Sequence, residues 1–418
     1  VGITVVARNY RGFKEVEIDL NHNTFITGDN SSGKSSLLLL LSYVLKTELT
    51  DTPKLDDQYA NDGYDFFSPY LDFADVDVGF IFTEDDKVFG KMITIKRPPP
   101  GGTPLVSRMT WVEQDQRFTF KWSPKVAGIK ATTVEPLLNA DALFQMHHET
   151  SGFKSLSGDD VIPSFGANSQ ELVYSAVRAL RLNSQASRML FNSVRIGHLP
   201  DRLHSGPVRG LPERFYNLDR KIKPSGTHFA SMWHDMAEAR AKINMEAVKA
   251  FGRDSSLFED ISVDKVSKKV PNSPLMVTVT KQGRPFLLSQ VGVGVSQVIP
   301  IVVESAFHSD QADDYIMLLQ QPELHLHPVA QAALGEFIYL MSKLGLRYVM
   351  ETHSDYLIDR FRANMREDKS IRSATILFCE NSPEGNSINK IKISDGEIVN
   401  PPDNYKDFFV NELMRTMF

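Results

Sequence analysis

Eight residues near the start of the chain constrain everything that follows: Gly28-Asp29-Asn30-Ser31-Ser32-Gly33-Lys34-Ser35. They come after an apolar, strand-like run, Thr24-Phe25-Ile26-Thr27, and before Leu37 to Leu41, which can open a buried helix. This is the G-x-x-x-x-G-K-[ST] phosphate loop in the strand–loop–helix setting it requires. Glycine at both ends lets backbone N–H groups curl around phosphate oxygens, where a side chain would block the approach. Lys34 is expected to reach the β- and γ-phosphates, and Ser35 to offer its hydroxyl to Mg²⁺. The helix N-terminus behind the loop adds partial positive charge. A chain built on this loop is expected to bind a nucleoside triphosphate, and an α/β fold is implied.

At 418 residues there is enough chain for two or three domains. No uninterrupted apolar run approaches the length of a membrane span, and the opening does not read as a secretory leader. With Cys379 the sole cysteine, an internal disulfide framework is excluded and a reducing, cytoplasmic setting is expected. Lys and Arg total 46 against 52 Asp and Glu, a net charge of −6, so the whole chain is no polycation attracted to nucleic acid. A local basic face stays open.

In order, Val1 to Val6 with Val16, Ile18 and Leu20 alternate as a hairpin leading into the loop strand. Arg11, in the turn between them, reads either as a solvated turn residue or as a second cation near the phosphates. Residues 51–70 read as a polar loop. Val76 to Phe82, Met92 to Lys96, Met109 to Trp111 and Phe118 to Trp122 alternate as antiparallel strands. Pro98-Pro99-Pro100-Gly101-Gly102 can continue neither helix nor strand. Glu171 to Leu190 and Phe229 to Phe251 carry apolar residues at helical spacing, and no sustained heptad predicts a coiled-coil arm. Between them, Gly206 to Tyr216 is too rich in Gly and Pro for a regular element, and its arginines read as structural. Met276 to Thr280 and Pro285 to Leu288 flank Gln282-Gly283, a hairpin signal. Tyr315 to Leu319 has the continuous apolar pattern of a fully buried strand. Helix Ala330 to Lys343, strand Arg347 to Met350 and strand Ile376 to Phe378 follow, and the rest reads as a short tail. Three parts are expected: 1–133 with the phosphate loop, a mainly helical insertion over 134–274, and 275–418 completing the first part.

A phosphate loop alone does not separate kinases, GTPases and mechanical ATPases. The ordered set of motifs does. Gly28 to Ser36 is followed by Val291 to Pro300, reading V-G-V-G-V-S-Q-V-I-P, by Gln320 to Pro328, reading Q-Q-P-E-L-H-L-H-P, and by Glu351 to Leu357, opening E-T-H-S. Together these resemble the ABC-type ATPase heads of the SMC and OLD-like group, and most nearly the OLD-like AAA ATPases of bacterial anti-phage defence. The ATPase subunits of PARIS-type systems, with Septu-type as the near alternative, share the compact length and the helical insertion. The resemblance is strong over the first fifty residues and roughly 285 to 360, and loose in between. It implies an α/β, ABC-type P-loop head: a mixed sheet, an antiparallel β-subdomain, a helical insertion and no long coiled coil.

The resemblance also implies a mechanism. Two copies would sandwich ATP and Mg²⁺. The loop residues Gly28, Asn30, Ser31, Ser32, Gly33, Lys34, Ser35 and Ser36 of one would face Ser289, Gly292, Gly294 and Ser296 of the other. Those four would supply backbone and hydroxyl donors and a helix N-terminus. His353 would match the switch histidine that touches the γ-phosphate and the attacking water. Gln320, with Ser35, stands at the metal side of the site, where the family places the Walker B acid. Glutamine keeps the shape and a carbonyl oxygen but loses the charge and the proton-accepting capacity. Gln321 takes the next position, commonly glutamine in this family, and Glu323 is left as the nearby carboxylate. Hydrolysis is therefore expected to be very slow. Gln320 reads either as an ATP-trapping substitution or as the mark of a natural, inactive ATPase. His325 and His327 have poor zinc spacing and match the family's H-L-H-P connection, which points to packing.

The residues after His353 contain no Asp-x-Asp of the kind a Toprim nuclease uses. The resemblance to defence ATPases implies as partners a separate nuclease effector subunit and a phage trigger protein, beside self-association into a homo-oligomer. A DNA-repair or chromosome-structuring ATPase that clamps DNA is the alternative. Acidic net charge and the missing coiled coil weigh against it.

Overall fold

The computed structural model describes residues 2–47, 49, 75–85, 87–96, 105–113, 115–122, 127–133, 139–156, 199–206, 209–218, 220–223, 225–270, 272–403 and 405. The loop read over 51–70, the Pro98–Gly102 tip and the helix over Glu171–Leu190 lie outside the described residues. The elements begin β1 (Gly2–Tyr10), β2 (Phe13–Asp19), β3 (Asn23–Gly28), α1 (Lys34–Thr47), β4 (Val76–Glu84), β5 (Lys87–Lys96) and β6 (Leu105–Glu113). They continue with β7 (Gln116–Trp122), β8 (Ala127–Thr133), α2 (Ala140–His148), β9 (Lys154–Leu156), β10 (Asp201–Ser205), α3 (Phe229–Glu238), α4 (Lys242–Asp254) and β11 (Asp260–Lys265). The last group is β12 (Leu275–Lys281), β13 (Arg284–Leu287), α5 (Val293–His308), β14 (Tyr315–Gln320), α6 (Pro328–Lys343), β15 (Arg347–Glu351), α7 (Asp355–Asp368), β16 (Ser373–Ser382), β17 (Gly385–Ser394) and β18 (Glu397–Val399).

Described residues within 1–21, 39–199 and 381–387 form one compact unit; those within 22–38, 200–380 and 388–418 form a second. This division cuts across the three sequence parts. The described residues of 134–274 hold three helices but also β9, β10 and β11.

In the first unit β2-β1-β4-β5-β6-β7-β8-β9 lie side by side, every pair antiparallel. β2 alternates buried Val16 and Ile18 with exposed neighbours, the half-buried pattern read from sequence. Asn139 caps α2 by accepting the Ala142 N–H at 2.9 Å, and Leu143 and Phe144 then pack on Val6, Met92 and Val112. At its far end, fully buried His147 is held between two threonines: Nε2 pairs with Thr94 Oγ1 at 2.7 Å and Nδ1 with Thr110 Oγ1 at 2.8 Å. Thr94 in turn donates to Asp77 Oδ1 at 2.7 Å. Burial pushes the His147 imidazole down to about 3, against the pull of Asp77. A histidine depressed in the folded state binds fewer protons folded than unfolded between about pH 3 and pH 6.5, so stability rises with pH there. Acidification through that window is expected to destabilise this unit by up to about 1.4 kcal/mol per pH unit from this group alone. Urea midpoints between about pH 7 and about pH 4 check it, with His147→Asn flattening the slope. An equal slope in the variant would place the acid sensitivity elsewhere.

The second unit carries β10-β14-β15-β3-β16 in parallel. β14 and β15 are buried almost throughout, which explains their unbroken apolar sequences. Phe25 of β3 meets Phe361 of α7 edge-on at 5.2 Å, and Phe361 meets Tyr339 of α6 at 5.5 Å, so aromatic packing seats the strand that delivers the phosphate loop. β12 and β13 pair across Gln282-Gly283, both at positive φ, the two-residue turn expected from that dipeptide.

Two expectations change. The helical stretch 229–251 is two helices, α3 and α4, broken where Arg240 takes φ 58°. The residues after Phe378 are also more than a tail: β16 runs on to Ser382, and β17 and β18 pair antiparallel after it. The longest described helices have 16 residues, and none is long and apolar enough to cross a membrane.

Candidate nucleotide site

All but one of the residues singled out from the sequence lie in the second unit. Gly28 ends β3 at φ 129°, and a Cβ there would come within 2.0 Å of the Cys379 carbonyl oxygen, so only glycine fits. The same carbonyl accepts the Asp29 N–H at 3.2 Å, tying the loop to β16. Asn30 and Ser31 are exposed, Ser31 at φ 63°, while Ser32 turns in and donates to the Asp29 carbonyl at 2.8 Å. Leu37 N–H reaches the Gly33 carbonyl at 3.1 Å, closing the first turn of α1. Lys34 is buried; its ammonium donates to the carbonyls of Gly28 at 3.0 Å and Asp29 at 2.5 Å. Burial lowers the Lys34 pKa, opposed chiefly by Glu351.

Ser35 is the hub of the metal side. Its hydroxyl lies 2.8 and 3.1 Å from the two carboxylate oxygens of Glu351 and accepts the Gln320 Nε2–H at 2.8 Å. The parallel register sets Gln320 beside Glu351 and Glu351 beside Ile26, so the ends of β14 and β15 and the loop after β3 converge. Glu351 is buried; burial raises its pKa while Ser35, Lys34 and Gln320 pull it down. The stretch after β14 therefore does not hold the site's only carboxylate, as the sequence reading had it. Gln321, at φ 45°, donates its N–H to the Glu351 carbonyl at 2.9 Å. Glu323 points elsewhere: Oε1 accepts the His353 N–H at 2.7 Å, and burial raises its pKa. The His353 ring is exposed, yet partial desolvation and then the Lys34 charge lower its pKa. Ser354 caps α7, accepting the Leu357 N–H at 3.1 Å.

Arg209 was read only as structural. It is fully buried and binds the end of β14 directly: Nη2 donates to the carbonyls of Gln320 at 3.3 Å and Gln321 at 3.5 Å, and Nε to Ser205 Oγ at 3.0 Å. Its backbone N–H donates to Gln297 Oε1 of α5 at 3.0 Å, so one residue joins α5 to the end of β14. Burial lowers its guanidinium to about 10, opposed by Glu323 and then Glu304, which leaves it charged at neutral pH.

The glycine-rich turn before α5 is the second stretch that the sequence singled out. Ser289 and Gly292 are exposed, and Gly292 begins α5 at its N-cap. Gly294 packs tightly instead: a Cβ there would lie 2.6 Å from the His325 carbonyl oxygen. Ser296 corrects the expectation of an outward donor, since it is buried and its hydroxyl donates to the Val293 carbonyl at 2.9 Å. A cavity of about 350 Å³ beside the turn is lined by Phe286, Gln290, Gly292, Gly294, Lys281 and His325. His327 caps α6 by accepting the Ala330 N–H at 3.4 Å. Ser36 is half-buried in the first turn of α1. Arg11, the exception, belongs to the first unit, in the β1–β2 turn at φ 49°, with its guanidinium 5.8 Å from the Tyr10 ring centre.

A phosphate loop ending a central parallel strand, with a buried lysine, a serine hydroxyl and a carboxylate at the adjacent strand ends, defines a P-loop nucleotide-binding ATPase. The chain belongs to the AAA ATPase domain family, which matches residues 4–97 and 217–358, more than half of it. No curated protein matched. Among solved structures, the chain is similar to an SMC head bound to the C-winged helix domain of ScpA, at 10% identity and TM-score 0.47, covering 93% of this chain and 96% of that one. It is also similar to a Pyrococcus furiosus Smc head domain with an extended coiled coil bound to the C-terminal domain of ScpA, at 11% identity and TM-score 0.44, covering 99% and 100%. The Thermotoga maritima SMC head domain gives 11% identity and TM-score 0.39, covering 92% and 97%.

The donor set fits Mg²⁺. The cation takes one or two carboxylates with phosphate oxygens and water, and Ser35 Oγ and the Glu351 carboxylate are hard oxygen donors that meet from two chain segments. Bound there, Mg²⁺ would neutralise triphosphate charge.

Proposed function

We propose that this chain is an ABC-type ATPase that pairs through ATP–Mg²⁺ and serves as the sensor and scaffold subunit of a cytoplasmic bacterial anti-phage complex. The phosphate loop and His353 of one copy hold the nucleotide, and the exposed Ser289–Gly292 turn of a second copy covers it. The observation that carries the pairing is the exposure of this turn, at the N-terminus of a 16-residue helix whose next turns are buried. In that assembly ATP is the adhesive, since a ligand bound only by the paired state stabilises pairing by mass action. Gln320 removes the acid that would polarise water, so turnover is slow and the assembled state long-lived. A separate nuclease, of Toprim type if the chain is of the PARIS type, is held until a phage protein triggers release; the motif set Gly28–Ser36, Val291–Pro300, Gln320–Pro328 and Glu351–Leu357 supports this assignment.

The chain is expected to be monomeric without nucleotide and dimeric or larger with ATP–Mg²⁺ at micromolar concentration, as read by mass photometry. A monomer under both conditions refutes the sandwich. Salt-sensitive affinity for plain duplex DNA would instead favour a DNA-clamping ATPase, because phosphate contacts release counterions.

A further inference from the structure

We propose that Glu351, at the end of β15, is the carboxylate that holds the Mg²⁺ shell in this chain, replacing the acid that Gln320 lacks at the end of β14. The assignment rests on the nucleotide reading above and adds to it the residue that carries the charge. Both carboxylate oxygens of Glu351 lie within 3.1 Å of Ser35 Oγ, the atom that the phosphate loop presents to the metal. Gln320 reaches the same hydroxyl only through its amide nitrogen, as a donor, at 2.8 Å. Glu323, the other buried carboxylate of the segment, places Oε1 on the His353 N–H rather than on Ser35.

Position alone would allow Glu351 to be a mere acceptor for Ser35. Chemistry separates the two roles. A hydroxyl is satisfied by any neutral oxygen, and burying a carboxylate for that purpose costs desolvation that a glutamine would avoid. Glu351 is only 3% exposed. Lys34 is the cation that pulls on it, and the Lys34 ammonium is hydrogen-bonded to the Gly28 and Asp29 carbonyls. A buried negative charge facing the serine of a phosphate loop is what a divalent cation bridging to phosphates requires. Parallel pairing makes the exchange of acids geometrically simple. Gln320 and Glu351 are register neighbours on adjacent strands, so a carboxylate on either strand end can face the same point.

The test is Mn²⁺ binding in the presence of ATP, read by the electron paramagnetic resonance signal of free Mn²⁺, beside metal-free ATP binding read by a fluorescent ATP analogue. Glu351→Gln is expected to weaken Mn²⁺ by about 10- to 100-fold while metal-free ATP binding changes little. Glu351→Asp, which keeps the charge but draws it back by one methylene, is expected to fall between, and supplies the measurement if Glu351→Gln does not fold. Mn²⁺ bound equally by the parent chain and the variants, with ATP binding intact, overturns the assignment and leaves the nucleotide site standing. A parent chain that binds no ATP overturns both.

Discussion

An Arg209→Met substitution is expected to destabilise the second unit by about 3–5 kcal/mol, the usual consequence of deleting one member of a buried charged group. Methionine fills much of the space, so the loss is mainly electrostatic. The guanidinium donates to the carbonyls of Gln320 and Gln321 and to Ser205, and its removal strands those acceptors in the interior. Glu323, whose burial is opposed first by the His353 N–H, then also loses the pull of the Arg209 charge. With its folded pKa raised further, Glu323 contributes stability below its unfolded value and loses it as pH rises, so the deficit of the variant is larger near pH 8 than near pH 5. Urea unfolding at the two pH values measures both. Adding Glu323→Gln is expected to recover part of the alkaline deficit. A variant within about 0.5 kcal/mol of the parent would mean that Arg209 is compensated by its surroundings and does not organise the end of β14.

Arg209 also marks where sequence reading stops. Its stretch, Gly206 to Tyr216, has no period and no motif, and an arginine among Gly and Pro gives no sign that it will be fully buried. Local chemistry was legible wherever backbone requirements are local: the phosphate loop, the Gln282-Gly283 turn, and the apolar runs of β14 and β15. Elements defined by partners were not. β17 is mostly half-exposed and rich in Asn, Ser and Lys, so nothing in Gly385–Ser394 announces a strand. The break at Arg240 lies between two amphipathic helices and carries neither Gly nor Pro, so the periodicity reads as continuous across Phe229–Phe251 until the left-handed turn is seen.

Glu351 is the instructive miss. It opens the E-T-H-S motif, where His353 holds the eye, and its pairing with Gln320 exists only through parallel register between strands 31 positions apart in the chain. The available signal was joint. A strand end without an acid sits one motif before a strand end that has one.

That juxtaposition makes the reciprocal exchange the most informative catalytic experiment. Gln320→Glu is expected to raise ATP turnover by about a hundred- to ten-thousand-fold, the range in which general acid–base groups act. The introduced carboxylate would stand beside Glu351, and two like charges at one site raise each other's proton affinity, so one of the pair becomes a better acceptor from water. Combining Gln320→Glu with Glu351→Gln moves the charge from β15 to β14. The double variant is expected to regain most of the Mn²⁺ affinity lost in Glu351→Gln alone, because Ser35 again faces one carboxylate. Phosphate release and Mn²⁺ binding separate the two roles: the first follows the acid on β14, the second follows an acid on either strand. If Gln320→Glu binds ATP–Mg²⁺ yet hydrolyses it no faster than the parent chain, the slow step does not lie in a missing carboxylate. ATP would then be a structural ligand of the assembly, and release of a bound partner would have to be driven by something other than hydrolysis.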